Sequence, residues 1–257
     1  MVRAKDMKNN KIQPISFIIP LHNEEDFLVG EISRLKKIIS DVKINKYEMI
    51  LVENGSVDNT YRLAKQLFLK DKNIKVLKIS LPHYGLAIKK GLESSQFDPI
   101  IQLDLDLIDK KFIKKAVDML GDYDILVGSK YLGKVDNRLI FRKILSFGLK
   151  KTINLLFNYY GTDTHGVKAY IKQKVINLMK NLPLTKHMFD TSIVIEAENN
   201  GLTVIETPIN VKEIRSSRFP SIIRIFEAII DIFVLFNFRL SKSAKIKFSF
   251  KFPIPFI

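Results

Sequence analysis

The run PIIQLDLD, residues 99 to 106, stays nearly apolar through Leu103 and then closes on two acids one residue apart, Asp104 and Asp106. It is the fourth of five short β-rich runs. The others are ISFIIP (15 to 20), YEMILVE (47 to 53), IKVLKIS (74 to 80) and DILVGS (124 to 129), and a segment with helical spacing follows each. Strands alternating with helices predict a mostly parallel sheet covered on both faces. The near-continuous apolarity of the first, second and fourth runs suits strands without a solvent face, each turning polar where the chain leaves for the next helix. In such sheets ligands bind outside the carboxyl ends of the strands.

Three of those ends carry acids: Glu24 soon after FIIP, Glu53 closing MILVE, and Asp104 with Asp106. All are expected on one rim of the sheet. Two carboxylates separated by one residue can aim at a common point, which suits a hard divalent cation such as Mg²⁺ or Mn²⁺. An ion held by one or two carboxylates shares its other positions with water and substrate phosphates, so the pair suggests a phosphate-bearing ligand. Two solvated loop acids would look the same in isolation.

The chain has 257 residues, 46% of them hydrophobic, enough for one large domain with a sizeable core. Its 42 Lys and Arg against 27 Asp and Glu give a formal charge of +15, which favours an anionic partner: nucleic acid, an acidic membrane surface or a phosphorylated substrate. With no cysteine there is no disulfide framework, thiolate zinc site or cysteine nucleophile. The opening MVRAKDMKNNKIQP is basic and lacks the apolar core of a secretory signal, and residues 1 to 13 read as a flexible lead. No uncharged apolar stretch reaches the ~18 to 20 residues of a spanning helix. Even the greasy segment from Ile222 to Leu240 is cut by Arg224, Glu227, Asp231 and Arg239.

Residues 137 to 160 form a helix candidate in which Arg142, Ser146, Lys150 and Asn154 recur every four positions and most others are apolar. In the segment from 221, Arg224, Glu227 and Asp231 share a stripe among Ile, Phe, Val and Leu. Each is either a core helix or one lying on a membrane surface. The tail KSAKIKFSFKFPIPFI interleaves lysines with phenylalanines, as a membrane-surface segment or an ordinary frayed end would.

PLHNEE (20 to 25), VENGSVDNT (52 to 60), HYGLAIKKG (83 to 91) and LDLD (103 to 106) resemble, in order and spacing, the motifs of family-two glycosyltransferases of the GT-A fold. VGSKY (127 to 131), DTHGVKAY (163 to 170) and the stretch from Met188 to Arg218 are similar to the subgroup that glycosylates polyprenyl phosphates, the dolichyl-phosphate glucose and mannose synthases. The resemblance covers roughly residues 14 to 220. It implies a Rossmann-like, mostly parallel sheet, with a donor half (14 to 130) and an acceptor half (131 to 220); the amphipathic helix and basic-aromatic tail (221 to 257), read from their residues, are expected to associate with a membrane. Carried over by position, Pro20, His22, Glu24, Glu53, Asp104, Leu105 and Asp106 bind the nucleotide-sugar donor, UDP-glucose or GDP-mannose, and Asp104 with Asp106 holds the Mg²⁺ or Mn²⁺. Lys130, Arg142, Ser146 and Arg218 (or Arg215) grip the acceptor phosphate. Glu53 and Asn54 stand where the family usually has two aspartates, and Ile108 where mannose synthases commonly have glutamine, with Asp109 following. Phe189 with Asp190, Glu196 and the run KEIRSSR lie closer to the glucose synthases.

The implied reaction is inverting transfer of a hexose to polyprenyl or dolichyl phosphate by a peripheral enzyme at the cytoplasmic membrane face. A phosphate acceptor is largely ionised near neutral pH, so positioning it matters more than a strong base. Were the acceptor a glycan or polysaccharide hydroxyl, the base candidate is Asp190, whose alternative role is to cap the helix after it. Among the dispersed histidines, His22 is expected beside the nucleotide. Gly85 and Gly91 bracket a helix start suited to close approach of a diphosphate. A non-enzymatic basic module for anionic lipid or nucleic acid would explain the charge but not acids at three strand ends, and no nucleic-acid signature is present.

Overall fold

The computed structural model describes residues 12–119, 121–134, 140–163, 166–211 and 221–243. Strands β1 (Ile15–Leu21), β2 (Tyr47–Asn54), β3 (Ile74–Ile79) and β5 (Ile125–Ser129) coincide with their apolar runs, β4 (Ile100–Gln102) takes only the first part of its run, and β6 (Lys168–Tyr170) and β7 (Val204–Pro208) follow. Between them lie helices α1 (Leu28–Asp41), α2 (Thr60–Lys70), α3 (Tyr84–Ser94), α4 (Lys110–Met119), α5 (Ile140–Phe157), α6 (Lys172–Met179), α7 (Phe189–Asn199) and α8 (Ser221–Ser243).

The seven strands form one sheet in the order β3-β2-β1-β4-β6-β5-β7. Every pairing is parallel except those of β6, which runs antiparallel to both β4 and β5. The expected mostly parallel sheet is therefore present. The chain winds outward from β1 through β2 to β3 and then returns to place β4 on the other side of β1. Such a reversal opens a crevice at the carboxyl ends of β1 and β4, where α/β sheets take their ligands.

All seven residues of β1 are buried because each face meets its own apolar layer. Phe17, Ile19 and Leu21 pack with Leu28, Ile32 and Leu35 of α1 and Phe112 and Ile113 of α4. Ile18 faces the opposite way, onto Ala87, Ile88 and Leu92 of α3 and beyond them Phe189 and Ile193 of α7. Helix α3 rides close to the sheet: a Cβ on Gly91 would lie 2.4 Å from Ile18 Cγ2. Gly91→Val is expected to cost about 2–3 kcal/mol of stability through overpacking. By calorimetry that is a fall of about 4–12 °C in melting temperature; an unchanged value would contradict this packing.

Helices α5 and α8 depart from the usual amphipathic arrangement: each buries apolar residues, Leu235 of α8 among them, but also turns polar side chains inward and leaves large apolar ones exposed. In α5, Ser146, Lys150 and Asn154 face a cavity in the protein, while Ile140, Ile144, Phe147 and Leu155 are exposed. Ile153 and Phe157 are its buried apolar contacts. In α8, Glu227 and Asp231 turn inward onto residues 186–188, and Phe226, Ile229, Ile230 and Phe233 are exposed. Among the described residues no helix is long and apolar enough to cross a membrane. The tail from residue 244 lies outside the described residues.

Candidate active site

The rim at the carboxyl ends of β1 and β2 is built largely by the sequence motifs bonding to one another. Glu24 N donates to Thr60 Oγ1 (2.6 Å), Asn23 N to Ser56 Oγ (3.0 Å) and Val57 N to Asn23 Oδ1 (2.9 Å). Asn23 and Gly55 both take positive φ, 52° and 63°, which lets the two loops double back against each other. Buried Glu53 accepts from Ser56 N at 2.5 Å, so this carboxylate braces its own loop. Asn54 Oδ1 accepts from His83 N (2.7 Å), and its carbonyl lies 2.8 Å from His22 Nδ1. His83 in turn caps α3, its Nδ1 accepting from Leu86 N (3.0 Å), and burial holds its pKa below the usual histidine value. Pro20 lies buried within β1.

After β4 the chain leaves the sheet at Asp104 and makes a 3-10 turn over Leu105–Leu107. Leu105 is buried in the α1-side core, which pins the turn and leaves the flanking Asp104 and Asp106 half-buried on the rim. Burial first, and then the charge of Asp106, push the Asp104 carboxyl up to about 7. Two mutually repelling carboxylates of this kind fit a divalent cation as their counter-charge. Among the described residues no group of three or more His, Cys, Asp and Glu forms a ready-made metal cage. An ion here would take its remaining ligands from water and phosphate oxygens.

Behind the turn lies a buried polar chain. Tyr84 Oη donates to Asp104 Oδ1 (3.0 Å), and Gln102 Nε2 reaches both Tyr84 Oη (3.1 Å) and Asp190 Oδ2 (3.2 Å). Tyr170 Oη donates to Gln102 Oε1 (2.9 Å). Lys168, fully buried, donates to Asp190 Oδ2 at 2.5 Å and to Gly166 O at 3.0 Å. The antiparallel register sets Lys168 directly beside Gln102. Asp190 is 1% exposed and lies inside the first turn of α7, with Met188 at the N-cap. It is not the N-cap residue, although its Oδ1 accepts the first-turn amide Thr191 N; Oδ2 is held by Lys168 and Gln102.

Beside β5 lies a cavity of about 240 Å³ lined by Lys130, Ser146, Lys150, Asn154, Tyr159 and Asp163, among others. Lys130 Nζ makes a two-pronged ion pair with Asp163, both contacts 2.7 Å, so its charge is largely matched within the protein. Lys150 Nζ stands 4.8 Å above the Tyr131 ring. Glu206 of β7 accepts from Thr162 N and Asp163 N, ordering the cavity wall. The structure thus brings Lys130 and Ser146 together. Arg142 belongs to α5, but its side chain, with Arg215 and Arg218, lies outside the described residues, as does His165.

Residues 16–178 match the model of glycosyl transferase family 2. The chain belongs to that family. It is 27% identical over 173 residues to an uncharacterised glycosyltransferase of Synechocystis, a match covering 66% of this chain but only 53% of that protein. It is 26% identical over 240 residues to a dolichyl-phosphate β-glucosyltransferase of Dictyostelium discoideum, covering 85% and 73%. Among solved structures, glucosyl-3-phosphoglycerate synthase of Mycobacterium tuberculosis, in complex with Mn²⁺, uridine diphosphate and glucosyl-3-phosphoglycerate, superposes with a TM-score of 0.60 at 18% identity, covering 92% and 82%. The fold of this family 2 glycosyltransferase is GT-A.

Sequence reasoning missed Tyr84, Gln102, Lys168 and Lys150 as site residues. Lys168 carried a signal, a lysine inside the otherwise uncharged stretch GVKAY. So did Lys150 and Asn154, which share a helical stripe with Ser146.

Proposed function

We propose that this glycosyltransferase moves a hexose from a nucleotide sugar, UDP-glucose or GDP-mannose, to a polyprenyl phosphate, at a membrane surface. The observation that carries the acceptor class is the state of Asp190. A hydroxyl acceptor needs a base within hydrogen-bond reach. Here the candidate base is buried and both its oxygens are engaged, Oδ2 by Lys168 and Gln102 and Oδ1 by Thr191 N. A phosphate acceptor arrives with its charge already in place and needs cationic and hydrogen-bonding partners instead. The cavity between β5 and α5 offers Lys150, Ser146 and Asn154, with Lys130 at its wall.

On the donor side, Asp104 and Asp106 would hold Mg²⁺ or Mn²⁺. That ion supplies a positive charge beside the departing diphosphate, where negative charge builds as the anomeric bond breaks. The protein's own part is to fix those two carboxylates, through buried Leu105 below and Tyr84 behind. The loops bearing His22, Glu24 and Glu53 form the neighbouring rim for the nucleotide.

Membrane association rests on the outward apolar faces of α8 and of α5, the helix that lines that cavity. Phe147, Leu155, Phe226, Ile229 and Phe233 would lie at headgroup depth, and the chain's excess of lysine and arginine favours an anionic leaflet. A polyprenyl chain could then stay in the bilayer while its phosphate enters the cavity. The relatives named for dolichyl phosphate support the same acceptor class.

Lys150→Ala tests the acceptor assignment. It is expected to raise KM for polyprenyl phosphate about tenfold, the worth of one charge-assisted hydrogen bond, and to leave donor KM unchanged. An unchanged acceptor KM removes Lys150 from the phosphate site, and equal turnover of the free polyprenol would contradict a phosphate acceptor.

A further inference from the structure

Asp231 lies in the middle of α8, far along the chain from the motifs, yet it is only 5% exposed. Its carboxylate accepts from three successive backbone amides: Lys186 N to Oδ1 at 3.1 Å, and His187 N and Met188 N to Oδ2 at 2.6 and 3.1 Å. Such a chelate of consecutive N–H groups fixes a turn more tightly than any side-chain pair on the surface could. The fixed turn leads straight into α7, where Asp190 follows two residues after Met188.

The other side of the same turn bears on α3. Gly85 N donates to Lys186 O at 2.8 Å. A Cβ on Gly85 would fall 2.0 Å from Thr185 O and 2.8 Å from Phe189 Cβ, so the two segments touch with no room between them. Next to Gly85 is Tyr84, whose hydroxyl bonds Asp104. Residues 185–188 are thus held between α8 and the start of α3, ending two residues before Asp190 and joined to Asp104 through Gly85 and Tyr84.

We propose that Asp231 is a positioning residue: by clamping residues 186–188 it fixes Asp190 and, through Gly85 and Tyr84, the aspartate that faces the donor, in one geometry. This rests on the transfer reading given above only for its activity readout. The geometry also ties the helix that presents Phe226, Ile229, Ile230 and Phe233 outward to the centre of the site through a buried carboxylate. Glu227, one turn earlier on α8, provides the comparison. Its bonds go to the side chains of Lys186 and His187, not to the backbone, so it holds no amide of the turn.

The test uses the full chain and the variants Asp231→Asn and Glu227→Gln. Asp231→Asn removes the charge and one of the two acceptor oxygens while keeping the size. Its amide exchange, read by mass spectrometry, is expected to rise at 186–188 and also at 84–88 and 189–191. With labelled donor and polyprenyl phosphate, its kcat per folded molecule is expected to fall at least tenfold with donor KM within threefold, whereas Glu227→Gln stays within twofold of the parent. Asp231→Glu, which keeps both acceptors on a longer arm, is expected to fold and show the same split at smaller size, and serves if the asparagine variant does not fold. Exchange that rises at 186–188 alone, or a kcat equal to the parent's, overturns the proposal. A parent protein without any transfer counts against the transfer reading, and the exchange pattern then decides the proposal alone.

Discussion

Asp106→Ala is expected to lower the transfer rate by about 10² to 10³, the usual cost of removing one preorganised group that stabilises developing charge. Its melting temperature is expected to hold or rise slightly. The rise follows from electrostatics: the Asp106 charge is one of the causes that push the Asp104 carboxyl up to about 7, so removing it relieves a repulsion in the folded state. The combination of a large catalytic loss with undiminished stability is the mark of a group kept for function. A basic module that only bound anionic lipid would be indifferent to this substitution. Steady-state kinetics with saturating Mn²⁺, beside a calorimetric scan, separates the two, and a rate within a factor of three of the parent would remove Asp106 from the metal site.

Lys168→Met is expected to have the largest effect on stability. The substitution leaves the Asp190 carboxylate buried with no cation beside it, in a place where both partners are within 1% of full burial. Breaking a buried pair on one side costs about 3–5 kcal/mol. For a chain of this size that lowers the melting temperature by about 6–20 °C. The double variant Lys168→Met, Asp190→Asn is expected to recover part of the loss, because the uncompensated charge, not the missing lysine, is the source of the cost. A single variant as stable as the parent would show that the pair does not hold β6 to α7.

The strands that position the acidic rim were legible because their burial on both faces demands unbroken apolar sequence. β1, β2 and β5 match their runs to within about a residue at each end. β4 was overestimated: its ladder covers Ile100–Gln102, Leu103 N still donates to Ile18 O, and the chain leaves the sheet at Asp104 for the 3-10 turn. β6 gave no periodic signal in three residues, although it alone makes the sheet mixed and sets Lys168 beside Gln102. The acids of the rim could be found from their place at strand ends. What lies behind them could not, because Tyr84 bonds Asp104 and shares Gln102 with Asp190 only once the fold brings these segments together.

Helices α5 and α8 are the other instructive case. Their polar stripes were visible in the sequence, and an amphipathic helix ordinarily shows its polar side to water. Here Lys150 and Asn154 face a cavity and Asp231 chelates a turn, so the polar stripes point inward beside buried Ile153, Phe157 and Leu235, and the remaining apolar residues are left outside. Sequence periodicity gives the angle between the two faces of a helix. It does not say which of them meets solvent.

The central claim is transfer of a sugar from a nucleotide donor to a lipid phosphate, and one measurement addresses it directly. Purified protein is incubated with polyprenyl phosphate in anionic vesicles and labelled UDP-glucose or GDP-mannose, with Mn²⁺ or with chelator, and the lipid phase is extracted and counted. The account predicts labelled lipid with one of the two donors, present with the metal and absent with chelator. No labelled lipid with either donor in the presence of metal would contradict it.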